Sequence, residues 1–223
     1  VRLTRPQIAE RIAQDIPDKA YVNLGIGVPT LVSDYLPDDR QIVLHTENGM
    51  LGMGRAATEN EIDLDLINAG KIFVTEELGA AYFHHADSFA MMRGGHIDYC
   101  VMGAYQVSAR GDLANWRTDS PRSIPGVGGA MDLAVGAKHV YVVMDLFSKS
   151  GECKLVEACT YPLTGAECVE RVYTDVAVFE LTRGNVRVLE IFDDLDLEQL
   201  SAIMGLPLID ARPTLVNVMA GTP

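Results

Sequence analysis

Apolar residues open the chain at intervals of four. Ile8, Ile12 and Ile16 therefore share one face of a helix that Thr4 is placed to cap and Pro17-Asp18 to end. From residue 21 the period falls to two: Val22, Leu24 and Ile26 alternate with polar or small residues, which predicts a strand over 21–27. That strand runs into Gly25-Ile26-Gly27-Val28-Pro29-Thr30, and Pro29 suits the first turn of a helix carrying Leu31, Val32 and Leu36. Residues 42–44 predict a short strand that delivers His45-Thr46-Glu47-Asn48-Gly49 at its end, and residues 71–75 predict another.

Further along, residues 85–93 read as a helix stopped by Gly94-Gly95, and 97–108 as one buried strand before the turn Arg110-Gly111-Asp112. A loop rich in Pro and Gly is expected over 120–129. The continuous apolar run over 139–147 is the pattern of a strand covered on both faces. Two strands, 176–181 and 186–191, flank Arg183-Gly184-Asn185 as a hairpin, and a last amphipathic helix over 195–204 ends at Gly205 and Pro207. Alternating strands and helices followed by a hairpin predict an α/β fold: a mostly parallel sheet flanked by helices, with a late β-hairpin. Without a repeat, a linker or a low-complexity stretch, residues 1–223 are expected to form a single domain.

Composition narrows the partners. Eighteen Lys and Arg against 31 Asp and Glu give a formal charge of -13, and there is no basic stripe. Nucleic acid and anionic membrane surfaces both reward clustered cations, so neither is expected as a partner. No apolar run approaches the roughly 20 residues of a membrane span. The segment before residue 17 lacks the apolar core and cleavage site of a signal peptide, and an initiator Met is expected to have preceded Val1. Cys100, Cys153, Cys159 and Cys168 form no CxxC pair, so reduced thiols in a cytoplasm are expected.

Two stretches offer chemistry. Gly25-x-Gly27 after a strand invites a dinucleotide-binding reading, but the third Gly of that fingerprint is Thr30 here. The same glycines leave backbone N–H groups open to an oxyanion. In Glu47-Asn48-Gly49-Met50-Leu51-Gly52-Met53-Gly54, a carboxylate at a strand end is followed by three glycines within seven residues, so the backbone can pass close to a ligand. A carboxylate there serves as acid, base or nucleophile. Composition alone would leave it a solvated loop residue. His84 and His85 point to different helix faces and no Cys or carboxylate completes a ligand set, so no metal site is expected.

Several long motifs occur in order. They are Asn23-Leu24-Gly25-Ile26-Gly27-Val28-Pro29-Thr30, His45-Thr46-Glu47-Asn48-Gly49, Met92-Arg93-Gly94-Gly95-His96, Gly111-Asp112-Leu113-Ala114-Asn115-Trp116, Gly128-Gly129-Ala130-Met131-Asp132-Leu133 and Thr160-Tyr161-Pro162-Leu163-Thr164-Gly165. Together they resemble the B subunit of the class I (glutamate-anhydride) coenzyme A transferases, from the first helix to Leu208. The resemblance implies the NagB/RpiA-like fold of that family. It also makes Glu47 the nucleophile, with Thr46 in place of the family's Ser and the hydroxyl retained. It implies the family's A subunit as partner, in a heterotetramer, and no cofactor beyond the coenzyme A thioester substrate. Two segments, Phe83-His84-His85-Ala86-Asp87-Ser88-Phe89 and residues 166–175, lie nearer the branch acting on 3-oxoadipate with succinyl-CoA than the acetoacetate branch. Alternatives are that second 3-oxo acid, or a non-catalytic binding subunit that keeps the fold. Gly27, Val28, Gly128 and Gly129 are the expected backbone donors, Asn48 an expected substrate contact, and Arg93 a clamp for a second substrate carboxylate or a plain helix-end Arg.

Overall fold

A computed structural model of the chain describes residues 1–120 and 124–213. In chain order it contains helix α1 (Arg5–Asp15), strand β1 (Tyr21–Leu24), a 3-10 helix (Val28–Tyr35), and strands β2 (Val43–Thr46), β3 (Met50–Ala56) and β4 (Val74–Tyr82). Helix α2 (His85–Arg93) precedes β5 (Tyr99–Gly103), β6 (Gln106–Ser108) and β7 (Leu113–Ala114); α3 (Ala130–Gly136) precedes β8 (His139–Val143), β9 (Leu155–Val156) and β10 (Val169–Tyr173). The hairpin β11 (Ala177–Thr182) and β12 (Asn185–Ile191), helix α4 (Leu197–Met204) and β13 (Leu208–Asp210) complete it.

One large sheet has the order β13-β12-β11-β10-β8-β5-β1-β2-β3-β4. Its middle, β10-β8-β5-β1-β2, is parallel throughout, while β11 and β12 on one side and β3 and β4 on the other run antiparallel. Alternation along the central strands fills a core on each face. On β8, Val140 and Val142 join a cluster with Cys100, Leu133 of α3 and Leu200 of α4. Tyr141 and Val143 join the opposite cluster with Val22, Val101 and the Ile8, Ile12, Ile16 face of α1. The three isoleucines are essentially fully buried, each contributing about 1.5–3 kcal/mol. A small second sheet, β7-β6-β9, packs beside the first.

The structure departs from the sequence expectations in several places. The glycine-rich stretch after residue 49, for which the sequence predicts no regular element, is strand β3. Its pairing with β4 shifts register twice, at Leu51/Met53 and Met53/Ala56, so no period of two survives to be read. The strand expected over 71–75 begins at Val74 and extends to Tyr82; most of its side chains are exposed and carry no apolar alternation. The single strand expected over 97–108 is two strands in different sheets, both largely buried, so hydrophobicity does not mark the break at Ala104 and Tyr105. Helix α3 has no counterpart among the sequence expectations; its seven residues show too little periodicity. The loop expected over 120–129 includes residues 121–123, which lie outside the described residues.

Polar contacts as well as packing bind α1 to the sheet. The Tyr173 hydroxyl donates to Asp15 at 2.7 Å, Arg171 donates to the same carboxylate at 2.8 Å, and Arg11 pairs with its other oxygen at 2.8 Å. Burial acts to raise the Asp15 pKa, but the hydrogen bonds and the two guanidinium charges outweigh it and hold the group below its ordinary value. Asp15→Asn is expected to cost about 1–3 kcal/mol of stability at neutral pH, read by urea denaturation. A depressed carboxylate contributes fully above its unfolded value, near pH 4, and loses that contribution as pH falls through the native value. The gap between parent and variant therefore closes in acid; a gap indifferent to pH would show that the charge does not hold the helix.

Candidate functional site

The carboxyl ends of β1, β2, β5 and β8 meet along one edge of the parallel sheet, where open α/β sheets present their ligand crevices. A cleft of about 460 Å³ lies there, walled by the segments 23–30, 45–47, 102–105 and 126–130. Glu47 leaves the end of β2 in the loop Glu47-Asn48-Gly49, after which β3 returns antiparallel, Thr46 facing Met50. Gly49 makes this turn possible. Its φ is +114°, and a Cβ there would sit 2.1 Å from the Phe83 carbonyl oxygen.

Glu47 is half-buried in the cleft and has no hydrogen bond or ion pair among the described residues. Its Oε2 lies against the backbone of Gly129, where a Cβ would come within 2.3 Å of it and 3.2 Å of Phe89. The backbone N–H groups of Gly27, Gly128 and Gly129 find no acceptor among the described residues. Val28, Gly128 and Gly129 line the cleft with Glu47, and Gly27 sits between the lining residues Ile26 and Val28.

Two expected contacts stand apart. The Asn48 side chain donates to the Ile67 carbonyl at 2.9 Å, which fastens the loop, and does not line the cleft. Arg93 is exposed and pairs with Asp132 at 2.6 Å, its guanidinium 5.6 Å from the Phe89 ring and outside the cleft lining. Among the described residues, the Lys and Arg side chains that line the cleft are Arg5 and Lys154. Burial lowers the Lys154 pKa, against the opposing charges of Asp145 and Asp175. Nothing in the local sequence around Lys154 signals this placement.

Behind Glu47 lies a polar group that sequence reasoning missed. His45 is 1% exposed; its Nδ1 is 2.9 Å from Asn23 Nδ2 and its Nε2 is 2.8 Å from Ser88 Oγ. Asn23 Nδ2 also donates to the His45 carbonyl at 3.2 Å, and Ser88 Oγ donates to the Thr46 carbonyl at 2.8 Å. Burial pushes the His45 pKa down to about 4, against a smaller opposing contribution from the Ser88 hydrogen bond, so the ring is neutral at neutral pH. The Thr46 hydroxyl is buried without a partner among the described residues. Such a group typically costs about 1–3 kcal/mol.

The chain has close relatives. It is 58% identical over 208 residues to the B subunit of 3-oxoadipate CoA-transferase from Pseudomonas putida, covering 93% of this chain and 97% of that one. It is 46% identical over 195 residues to the B subunit of succinyl-CoA:3-ketoacid coenzyme A transferase from Helicobacter pylori, covering 87% and 93%. The crystal structure of an acyl-CoA transferase from Escherichia coli O157:H7 superposes with a TM-score of 0.72 at 18% identity, over 94% of this chain and 42% of that one, and shares the fold. The family model for coenzyme A transferase matches residues 5–191. That span runs from the start of α1 to the end of β12 and holds both Glu47 and the glycines it faces; the chain belongs to the coenzyme A transferase family.

Proposed function

We propose that this chain is the catalytic B subunit of a transferase that moves coenzyme A from succinyl-CoA to 3-oxoadipate, with Glu47 as covalent nucleophile. The observation that carries the reading is a carboxylate at a strand end, without a partner among the described residues and facing glycine backbone in a cleft. Glu47 attacks the succinyl-CoA thioester carbonyl, forming a succinyl-glutamyl anhydride and expelling the CoA thiolate. The thiolate attacks the glutamyl carbonyl of the anhydride, which releases succinate and leaves CoA as a thioester on Glu47. The 3-oxoadipate carboxylate then attacks that thioester, expelling the CoA thiolate and forming an oxoadipyl-glutamyl anhydride. The thiolate attacks its oxoadipyl carbonyl, which releases oxoadipyl-CoA and frees the Glu47 carboxylate. Acyl activation is conserved from thioester to anhydride to thioester, so the cycle consumes no ATP and calls for no metal or redox cofactor.

Each addition places negative charge on a carbonyl oxygen. The N–H groups of Gly27, Gly128 and Gly129, which have no acceptor among the described residues, suit its stabilisation with Val28 beside them. Exposed apolar surface supports a two-subunit enzyme. Ile26, Leu64, Leu78 and Tyr82 are strongly exposed side chains on the cleft rim and around the β3–β4 arm, where the companion A subunit can cover them, in a heterotetramer.

Three kinds of outcome are expected, for the nucleophile, for the facing wall and for the acceptor. In the presence of the companion subunit, with succinyl-CoA as sole substrate, this chain gains the mass of CoA less water, mapped to Glu47; the isolated chain is not loaded. Glu47→Gln folds within about 1 kcal/mol of the parent yet loses turnover by about a thousandfold or more, with intact mass checked first for deamidation. Loading that persists in this variant would place the nucleophile elsewhere.

Gly129→Ala is a steric test of the facing wall. Its φ of -84° suits any residue, and the atom the new methyl meets is the movable end of Glu47. Turnover should fall by about tenfold or more while the thermal midpoint barely moves; parent-like turnover would remove Gly129 from the site.

The third outcome concerns the acceptor. 3-Oxoadipate carries a second carboxylate that acetoacetate lacks, and a desolvated ion pair is worth about 2–5 kcal/mol in such comparisons. Competing the two acids for limiting succinyl-CoA should favour 3-oxoadipate by tens of fold or more, on the order of that energy. Preferential conversion of acetoacetate would assign the chain to the 3-ketoacid branch and leave Glu47 in place.

A further inference from the structure

We propose that Asn23, His45 and Ser88 form a hydrogen-bonded relay that positions Glu47 by gripping the carbonyl of Thr46, with His45 serving as a neutral positioning residue. The protons can be followed one by one. The His45 backbone carbonyl accepts only an N–H, and this sets the Asn23 amide with Nδ2 towards β2. The second Nδ2 proton then goes to His45 Nδ1, which must be bare. The ring proton is left on Nε2 and is donated to Ser88 Oγ, whose single hydrogen goes to the Thr46 carbonyl. Every proton has one acceptor and the chain runs in one direction. A proton on Nδ1 would face the Asn23 amide hydrogens and break it.

The relay ends on the Thr46 carbonyl, which also accepts the N–H of Gly49 at 3.1 Å and so closes the turn. Both lone pairs of that oxygen are used, one by the relay and one by the turn, and Glu47 lies on the chain between. Asn23 stands opposite His45 in the β1–β2 register, and Ser88 belongs to α2. Three elements therefore converge on the peptide preceding Glu47, and all three side chains are at most 3% exposed. A hydroxyl and an imidazole this deep have no solvent role; their geometry gives them a backbone to hold. The ring's two nitrogens are both engaged inside the relay, so a side chain able to accept and donate in the same two directions should replace it. Glutamine presents an oxygen and an N–H at a spacing close to that of the two ring nitrogens.

This inference rests on Glu47 as nucleophile, and the experiment separates the two. The two-subunit complex is mixed with succinyl-CoA, quenched at intervals, and the CoA ester on Glu47 is followed by peptide mass. Ser88→Ala and His45→Leu should slow loading by about tenfold or more with the KM for succinyl-CoA little changed, as expected for a misplaced reacting group. His45→Gln should load at close to the parent rate. Should the first two fail to fold, Ser88→Cys replaces them: it keeps the size and weakens the donor, and loading should again slow. Parent-like loading in folded Ser88→Ala, or in Ser88→Cys where it is the replacement, overturns the relay, as does a folded His45→Gln as slow as His45→Leu. Absence of loading in the parent complex would instead sink the reading of Glu47.

Discussion

A carboxylate that is to act as a nucleophile has to be held by its backbone. Any cation or set of donors strong enough to fix its side chain would also stabilise its charge and blunt its attack. The surroundings of Glu47 follow from this constraint. Its carboxylate has no partner among the described residues, while the peptides on either side of it are tied down. On one side Ser88 grips the Thr46 carbonyl; on the other Gly49 turns the chain with a φ that only glycine adopts without strain, and Asn48 is fastened to Ile67. The restraint lies entirely off the reacting group.

Such restraint needs a rigid base, and the parallel centre of the sheet supplies it. Because β8 and β5 place side chains in both cores, and β1 and β2 pack Val22 and Leu44 into one of them, their carboxyl ends cannot tilt without disturbing a packed core. Helix α1 closes one face and is fastened to the sheet by Asp15 as well as by its isoleucines. The opposite wall of the cleft comes from a different part of the chain, the segment leading into α3. A side chain at residue 129 would displace the Glu47 carboxylate, which occupies the space a Cβ would fill. Site and fold share residues here: Leu133, four positions on in α3, belongs to the core that carries β8.

Cations are distributed unevenly around this site. The cleft's own, Arg5 and Lys154, lie with Asp145 at its β8 side, while Arg93 is engaged by Asp132 on the surface. From sequence Arg93 could be a carboxylate clamp or a helix-end arginine; in the structure it forms one half of an exposed ion pair, a kind of pair that solvent screens strongly.

What the sequence determined by itself is what short-range physics encodes. The fourfold spacing of Ile8, Ile12 and Ile16 made α1, the turn residues Arg183-Gly184-Asn185 made the β11–β12 hairpin, and the motif around Glu47 marked the carboxylate at a strand end. Each signal sits within a few helix turns or one loop. Tertiary structure alone decided the rest. β3 and β4 pair with shifted register, so their pattern is meaningful only against each other. The buried run from 97 to 108 divides between two sheets because both halves are apolar and only packing separates them. His45 acquires its partners from residues 22 positions before and 43 positions after it. A histidine's neutrality, its tautomer and its task depend on which groups surround it once buried, and no local pattern along the chain carries that information.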